Sequence, residues 1–169
     1  MIRHATEDDI PRLVALKKRI ASETYGTLGD EKQLQSWLSR KCSVEYFEGL
    51  FEKQALILMA EYETATLGIA SVTFGDNDAY LGDLYIGTEL QQRGFGSQLT
   101  QHRFQYVQNH FSMANLDTEY TIRSNCFYSN YRAYQHLLKH GFKPVDFYME
   151  PSFEIPVVRM SQVLTVAGT

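Results

Sequence analysis

Residues 84–99 decide the fold: Leu84-Tyr85-Ile86-Gly87-Thr88-Glu89-Leu90-Gln91-Gln92-Arg93-Gly94-Phe95-Gly96-Ser97-Gln98-Leu99. An apolar strand ends, a short polar loop follows, and a helix begins inside a Gly-x-Gly step. Backbone N–H groups at a helix N-terminus have no intrahelical partner, and the helix dipole adds partial positive charge there. Gly94 and Gly96 keep side chains out of a ligand's way. Loop 91–97 therefore suits a phosphate or pyrophosphate, with Arg93 adding charge. Two common phosphate motifs do not fit. The mononucleotide loop needs Lys and then Ser or Thr after its last glycine, whereas Gly96 is followed by Ser97-Gln98. The dinucleotide fingerprint needs a third glycine, where Leu99 stands, and it opens a βαβ unit. Taken alone, Gly-x-Gly fits a ligand-free strand-to-helix turn equally well.

The flanking sequence supplies the context. Upstream, Ala55–Glu61 and Leu67–Phe74 are apolar runs of strand length, and Tyr80–Ile86 is a third. The short turns Glu63–Thr66 and Gly75–Asp78 join them, so the three are expected to meander. Before them, Ile2–His4 is a short strand, and Thr6 with Asp9 forms an approximate capping box. Ile10, Leu13, Val14 and Ile20 fall at helical spacing, which predicts a helix over 7–20. A loop is expected from Tyr25 to Asp30. Two further helices are expected, one through Leu34, Trp37 and Leu38 and one from Ser43 to Phe51. Downstream, a helix is predicted over 96–111, with Leu99, Tyr106, Val107 and Phe111 inward and Phe104 widening the stripe. A strand at Glu119–Arg123, a helix at Tyr131–Lys139 capped by Gly141, and strands near Pro144–Met149 and Pro156–Leu164 complete the chain. This order predicts a mixed sheet with helices, of α/β (α+β) type.

Composition narrows the function. The 169 residues suit a single domain over 1–169. A net charge of −4 with scattered Lys and Arg gives no basic stripe for nucleic acid. No apolar run approaches the roughly 18 residues of a membrane helix, and the N-terminus opens without a signal-peptide pattern. Cys42 and Cys126 match no metal or redox spacing, so free thiols in a reducing cytoplasm are expected.

Gln91-Gln92-Arg93-Gly94-Phe95-Gly96 resembles the Gln/Arg-x-x-Gly-x-Gly/Ala signature of the GNAT superfamily of acyl-CoA-dependent N-acyltransferases. The preceding Leu84-Tyr85-Ile86, the segment Asn130-x-x-Ala133, the pair Gly141-Phe142 and the element order over nearly the whole chain carry the same resemblance. It implies a mostly antiparallel sheet of about six to seven strands flanked by helices. It also implies an N-acetyltransferase that uses acetyl-CoA and no metal, with direct attack by a primary amine of a small molecule or peptide. Backbone groups of Leu84, Tyr85 and Ile86 would hold pantetheine and the thioester. Gln91, Gln92, Arg93, Gly94, Phe95, Gly96 and Ser97 would hold the pyrophosphate, and Asn130 would contact pantetheine or hold its helix against it. Family members are often dimers, so a homodimer is expected.

The catalytic residues are less legible. Many members of the family have a tyrosine four residues before the Gly-Phe pair as general acid, and here that position is Leu137. Tyr134 lies one turn earlier on the same helix face, with Tyr128 and Tyr131 near. Each serves equally well as a packing residue, and a mechanism without a dedicated acid stays open. Asn125–Ser129 resembles a small insertion that could relocate the wall. Asp83 interrupts an apolar strand, so it is either buried and paired or faces the cleft as the base; Glu119 is its rival. His136 and His140 stand at i, i+4, a spacing that could chelate a metal, but no third ligand is evident, so a solvated helix face is expected. Glu23, Tyr25, Trp37 and Tyr46 fall where the family builds its acceptor wall, and acidic and aromatic groups there would suit a cationic amine. Leu137 also motivates an alternative, a non-catalytic acyl-CoA-binding or sensor module.

Overall fold

The computed structural model describes residues 1–62, 65–113 and 119–165. Its elements run β1 (Ile2–His4), α1 (Ile10–Tyr25), α2 (Glu31–Lys41), α3 (Val44–Glu52), β2 (Leu56–Tyr62), β3 (Ala65–Phe74), β4 (Asp78–Ile86), α4 (Phe95–Met113), β5 (Glu119–Phe127), α5 (Tyr131–Lys139), β6 (Lys143–Glu150) and β7 (Ile155–Thr165). Seven strands form one mixed sheet in the order β1-β2-β3-β4-β5-β7-β6. Every neighbouring pair is antiparallel except β4 and β5. The expected sheet class and strand number are both present. The turn expected over Glu63–Thr66 includes residues 63 and 64, which lie outside the described residues.

Apolar residues cover both faces of the sheet. On one face, Leu99, Val107 and Phe111 of α4 and Leu137 of α5 pack with Leu58, Val72, Leu81, Ile122 and Met160. On the other, Leu13, Leu16 and Ile20 of α1 and Phe47 of α3 pack on Ile57, Met59 and Ile69. A third group joins Trp37 and Leu38 of α2 to Phe127 and Val157. No described helix is long and apolar enough to cross a membrane.

Two boundaries and one buried face differ from the sequence expectation. Helix α1 continues past Ile20 to Tyr25, because Ala21 extends the buried stripe and the Thr24 hydroxyl donates back to the Ile20 carbonyl. Strand β5 runs on through Asn125, Cys126 and Phe127, which pair with Arg159, Val158 and Val157 of β7, so most of the expected insertion is strand. In α4, Tyr106 is 41% exposed rather than inward, and the buried stripe is Leu99, Thr100, Arg103, Val107 and Phe111. Two polar residues, Thr100 and Arg103, thus lie on the buried face of α4.

Candidate active site

The site begins where two strands part. β4 and β5 pair only through Asp78↔Thr121, Ala79↔Ile122 and Tyr80↔Arg123. Beyond them β4 continues to Ile86 beside β3, and β5 continues to Phe127 beside β7. The Ser124 hydroxyl donates to the Leu81 carbonyl at 2.8 Å and closes the apex of the split. A bulge accompanies the divergence. Ala70 faces Leu84 and Val72 faces Leu81, so Gly82 and Asp83 together stand against Ser71. The Asp83 N–H donates to the Ser71 hydroxyl at 2.8 Å, the usual repair of a bulge's lost ladder bond by a side chain. The bulge switches the alternation of β4. Leu84 and Ile86 thereby face α4, and Tyr85 faces α1.

The split opens into a cleft of about 880 Å³. At one end lie Gln91, Gln92, Gly94, Gly96 and Ser97. Gln92 (φ 62°) and Gly94 (φ 82°) both take left-handed backbone, a conformation from which anion-binding turns are built. The first bond of α4 runs from the Gln98 N–H to the Gly94 carbonyl, so the N–H groups of 95–97 precede the helix's own ladder. A Cβ at Gly96 would meet only ordinary contacts at 3.9 Å with His136 and Ile86. The protein's own packing therefore does not require glycine there; a ligand lying on the helix end would. Gln91 donates to the Ile86 carbonyl at 3.0 Å and accepts from Arg132 of α5, tying loop, strand and helix together. Arg93 is exposed and Phe95 packs against the core, so neither lines the cleft.

Asn130 caps α5, accepting the Ala133 N–H at 3.1 Å, and its amide lies 3.4 Å from the Tyr25 hydroxyl. Tyr25 stacks edge-on against Trp37 and Phe127 at 5.3 and 4.8 Å between ring centres. These rings, with Tyr46, Tyr80, Tyr85 and Tyr148, line the opposite end of the cleft. Burial raises the ionisation of the Tyr25, Tyr46, Tyr80 and Tyr85 phenols above its ordinary value, so all four are protonated at neutral pH.

A glycine loop between a strand and a helix, beside a split sheet, is the arrangement that the resemblance to the GNAT superfamily implies. A profile described as the Acetyltransferase (GNAT) family matches residues 18–142. The chain belongs to the GNAT acetyltransferase family. No curated protein sequence matches the chain. Among solved structures, it resembles PaiA N-acetyltransferase from Thermoplasma acidophilum in complex with coenzyme A (TM-score 0.76, 21% identity, 96% of this chain and 97% of that one). It also resembles a ribosomal-protein-alanine N-acetyltransferase from Brucella melitensis (TM-score 0.69, 19% identity, 97% and 99%) and an aminoglycoside 6′-acetyltransferase type Ii (TM-score 0.67, 16% identity, 100% and 99%). At these identities the likeness shows the fold.

Against the GNAT pattern, the expected catalytic side chains are placed unevenly. Leu137 lines the cleft, 6% exposed, where the family has its tyrosine. Tyr134 packs against the α4 core, and Tyr128 and Tyr131 are about 70% exposed. None of the three lines the cleft. Asp83 does line it, but both carboxylate oxygens are engaged. Oδ1 is 2.7 Å from the Lys17 ammonium, and Oδ2 accepts from the Tyr46 hydroxyl at 3.1 Å. The Lys17 ammonium also lies 3.7 Å over the Tyr46 ring. Glu119 is exposed at the far end of β5, opposite Thr165, and Glu23 is exposed beside Arg19. Neither lines the cleft.

Several polar residues at or beside the cleft were not legible as such. Lys17, Arg103, Thr100 and Arg132 carried no motif; the signal available was a polar residue interrupting an apolar helical stripe, at Lys17 in α1 and at Thr100 and Arg103 in α4. The expected solvated face for His136 is corrected: its Nε2 lies 2.9 Å from the Thr100 hydroxyl, on the side of α5 toward the cleft. Arg103, which can only donate, gives one hydrogen bond to the same hydroxyl at 3.0 Å. Thr100 then donates its own hydrogen bond to His136 Nε2. Burial, with help from the nearby cations and His140, lowers the His136 pKa to about 4, so the ring is neutral near pH 7.

Proposed function

We propose that this protein is an acetyl-CoA-dependent N-acetyltransferase whose acceptor is a primary amine of a small molecule or a peptide. The observation that carries this reading is the β4–β5 split with the left-handed Gln92–Gly94 loop at its mouth. In it, the N–H groups of 94–97 hold the pyrophosphate, backbone groups of Leu84, Tyr85 and Ile86 hold the pantetheine arm, and Asn130 holds α5 against it. Arg132, tied to Gln91, adds a cation beside the loop. The aromatic wall of Tyr25, Trp37, Tyr46 and Tyr148 receives the acceptor. Acetyl-CoA supplies the acyl group when bound, and the amine attacks its thioester carbonyl.

Asp83 enters this reading as the anchor of the acceptor wall. Its oxygens hold Lys17 and Tyr46 in place, and the adjacent Lys17 ammonium favours the ionised form, which opposes a role as proton acceptor. A homodimer belongs to the same reading. Its support is the row Val145, Phe147 and Met149, 55–73% exposed on edge strand β6. Light scattering tests it.

The deciding experiment is a calorimetric titration with acetyl-CoA, followed by a thiol-release assay over a panel of amines. Micromolar binding and amine-dependent release are expected. A folded protein that binds no acetyl-CoA at millimolar concentration sinks the proposal. Leu137 favours a second reading, a non-catalytic acyl-CoA module, and tight binding without release across the panel would select it.

A further inference from the structure

We propose that Arg103 is a catalytic residue that holds the negative charge appearing on the thioester sulfur, a task that the phenol absent at Leu137 performs elsewhere in the family. The proposal rests on the N-acetyltransferase reading above. Arg103 is 1% exposed, yet its side chain forms part of the cleft wall together with Leu137, His136, Ser124 and Gly82.

Its surroundings leave it short of negative charge. Nη1 donates to the Asp83 backbone carbonyl at 3.2 Å, and Nη2 donates to the Thr100 hydroxyl at 3.0 Å. Nε is buried without a partner. Among the described residues no carboxylate lies within ion-pair distance of it, because the Asp83 carboxylate is turned to Lys17 and Tyr46. Lys17, Asp83 and Arg103 thus make a buried cluster of two cations and one anion. Buried charges are ordinarily paired, since a lone one costs several kcal/mol. Burial lowers the Arg103 pKa to about 10, which still leaves the guanidinium charged at neutral pH.

The reaction supplies the missing anion. The amine nitrogen attacks the carbonyl carbon, the N–C bond forms, and the C–S bond breaks. The electron pair leaves on sulfur as the CoA thiolate, and the amine proton passes to water. Other anions fit the position less well. The pyrophosphate cradle lies at the N-terminus of α4, and Arg103 is about 10 Å further along that helix. It then reaches on to the middle of β4, beside the apex of the split. An acceptor carboxylate would come from the α1–α2 side, whereas Arg103 enters from α4, behind β4.

The test needs no acceptor. CoA is bound to the protein, and its thiol is titrated by thiolate absorbance near 240 nm, with S-methyl-CoA as the blank. In the wild type the bound thiol is expected to ionise at least one pH unit below free CoA. Arg103→Gln should return it to the free value or above, and Arg103→Lys should keep part of the depression. A bound thiol that ionises at or above the free value in the wild type overturns the proposal, even if Arg103→Gln does not fold. So does an equal depression in wild type and Arg103→Gln. Calorimetry on the same samples separates the two readings. Binding without depression removes only the role of Arg103, whereas absence of binding removes the acetyltransferase reading and this proposal with it.

Discussion

Lys17 explains why a carboxylate interrupts an otherwise apolar strand. Asp83 and Lys17 are 6% and 1% exposed, and each is the other's counter-ion at 2.7 Å. Removing one partner of a buried pair leaves the other uncompensated, at about 3–5 kcal/mol. Asp83→Asn is therefore expected to lower the urea unfolding free energy by about that amount. Replacing both residues by apolar ones of similar size should recover much of the loss. If Asp83 were a free general base, Asp83→Asn would change the pH–rate profile and leave stability nearly untouched. His136 gives a prediction with a pH sign. The unfolded imidazole titrates near 6.5, and the folded one near 4 because of burial. Between these values the unfolded chain binds more protons than the folded one. Stability is thus fully present above about pH 6.5 and falls as the pH drops toward 4, by on the order of 2 kcal/mol. His140, lowered in the same direction, adds to the slope. Urea midpoints by circular dichroism between pH 7.5 and 5 should show the fall, with His136→Gln shallower; an equally steep variant refutes the assignment.

Among the elements, the loop between β4 and α4 was the most legible and the helix behind it the least. The glycines of 91–97 stand out in sequence because Gly94 must take a left-handed φ, a requirement carried by the residue itself. The strands β2, β3 and β4 were visible as apolar runs joined by turn residues, which is local information too. Three features were not local. The partner of Asp83 lies on α1 and emerges only when α1 packs on the sheet. The buried face of α4 carries Thr100 and Arg103, whereas apolar periodicity points to Tyr106, which is exposed. The end of β5 was hidden because Arg123, Ser124 and Asn125 are three successive polar residues, and their strand state comes from pairing with β7. The cradle itself is testable at this scale. Gly94→Asp adds a Cβ where φ is 82° and a negative charge beside the helix N-terminus. Acetyl-CoA affinity is expected to fall by at least about tenfold, roughly 1.4 kcal/mol. Unchanged affinity by calorimetry would move the pyrophosphate elsewhere.

At the scale of the whole molecule, the split makes ligand binding a structural event. The halves β1–β4 and β5–β7 share a ladder of only three residue pairs and the Ser124–Leu81 bond at its apex. Past the apex, helices complete the link: Tyr25 of α1 meets Asn130 of α5, and Arg132 of α5 meets Gln91 of the loop. A ligand seated between Leu84–Ile86 and α5 contacts both halves of the folded protein, and the unfolded chain offers it no such site. Its binding energy therefore adds to folding stability, by about 2.7 kcal/mol at a concentration of one hundred times Kd. For a chain of this length each kcal/mol moves Tm by about 2–4 °C, so a rise of about 5–10 °C is expected. The rise should grow with the logarithm of acetyl-CoA concentration and should be much smaller for Gly94→Asp at equal ligand. Hydrogen exchange supplies the spatial half of the test. Amides of 82–86 and 124–127, along the open part of the split, should gain more protection than those of β1 and β2. Uniform protection across the sheet, or a Tm unmoved at saturating acetyl-CoA, would show that the ligand does not bridge the halves.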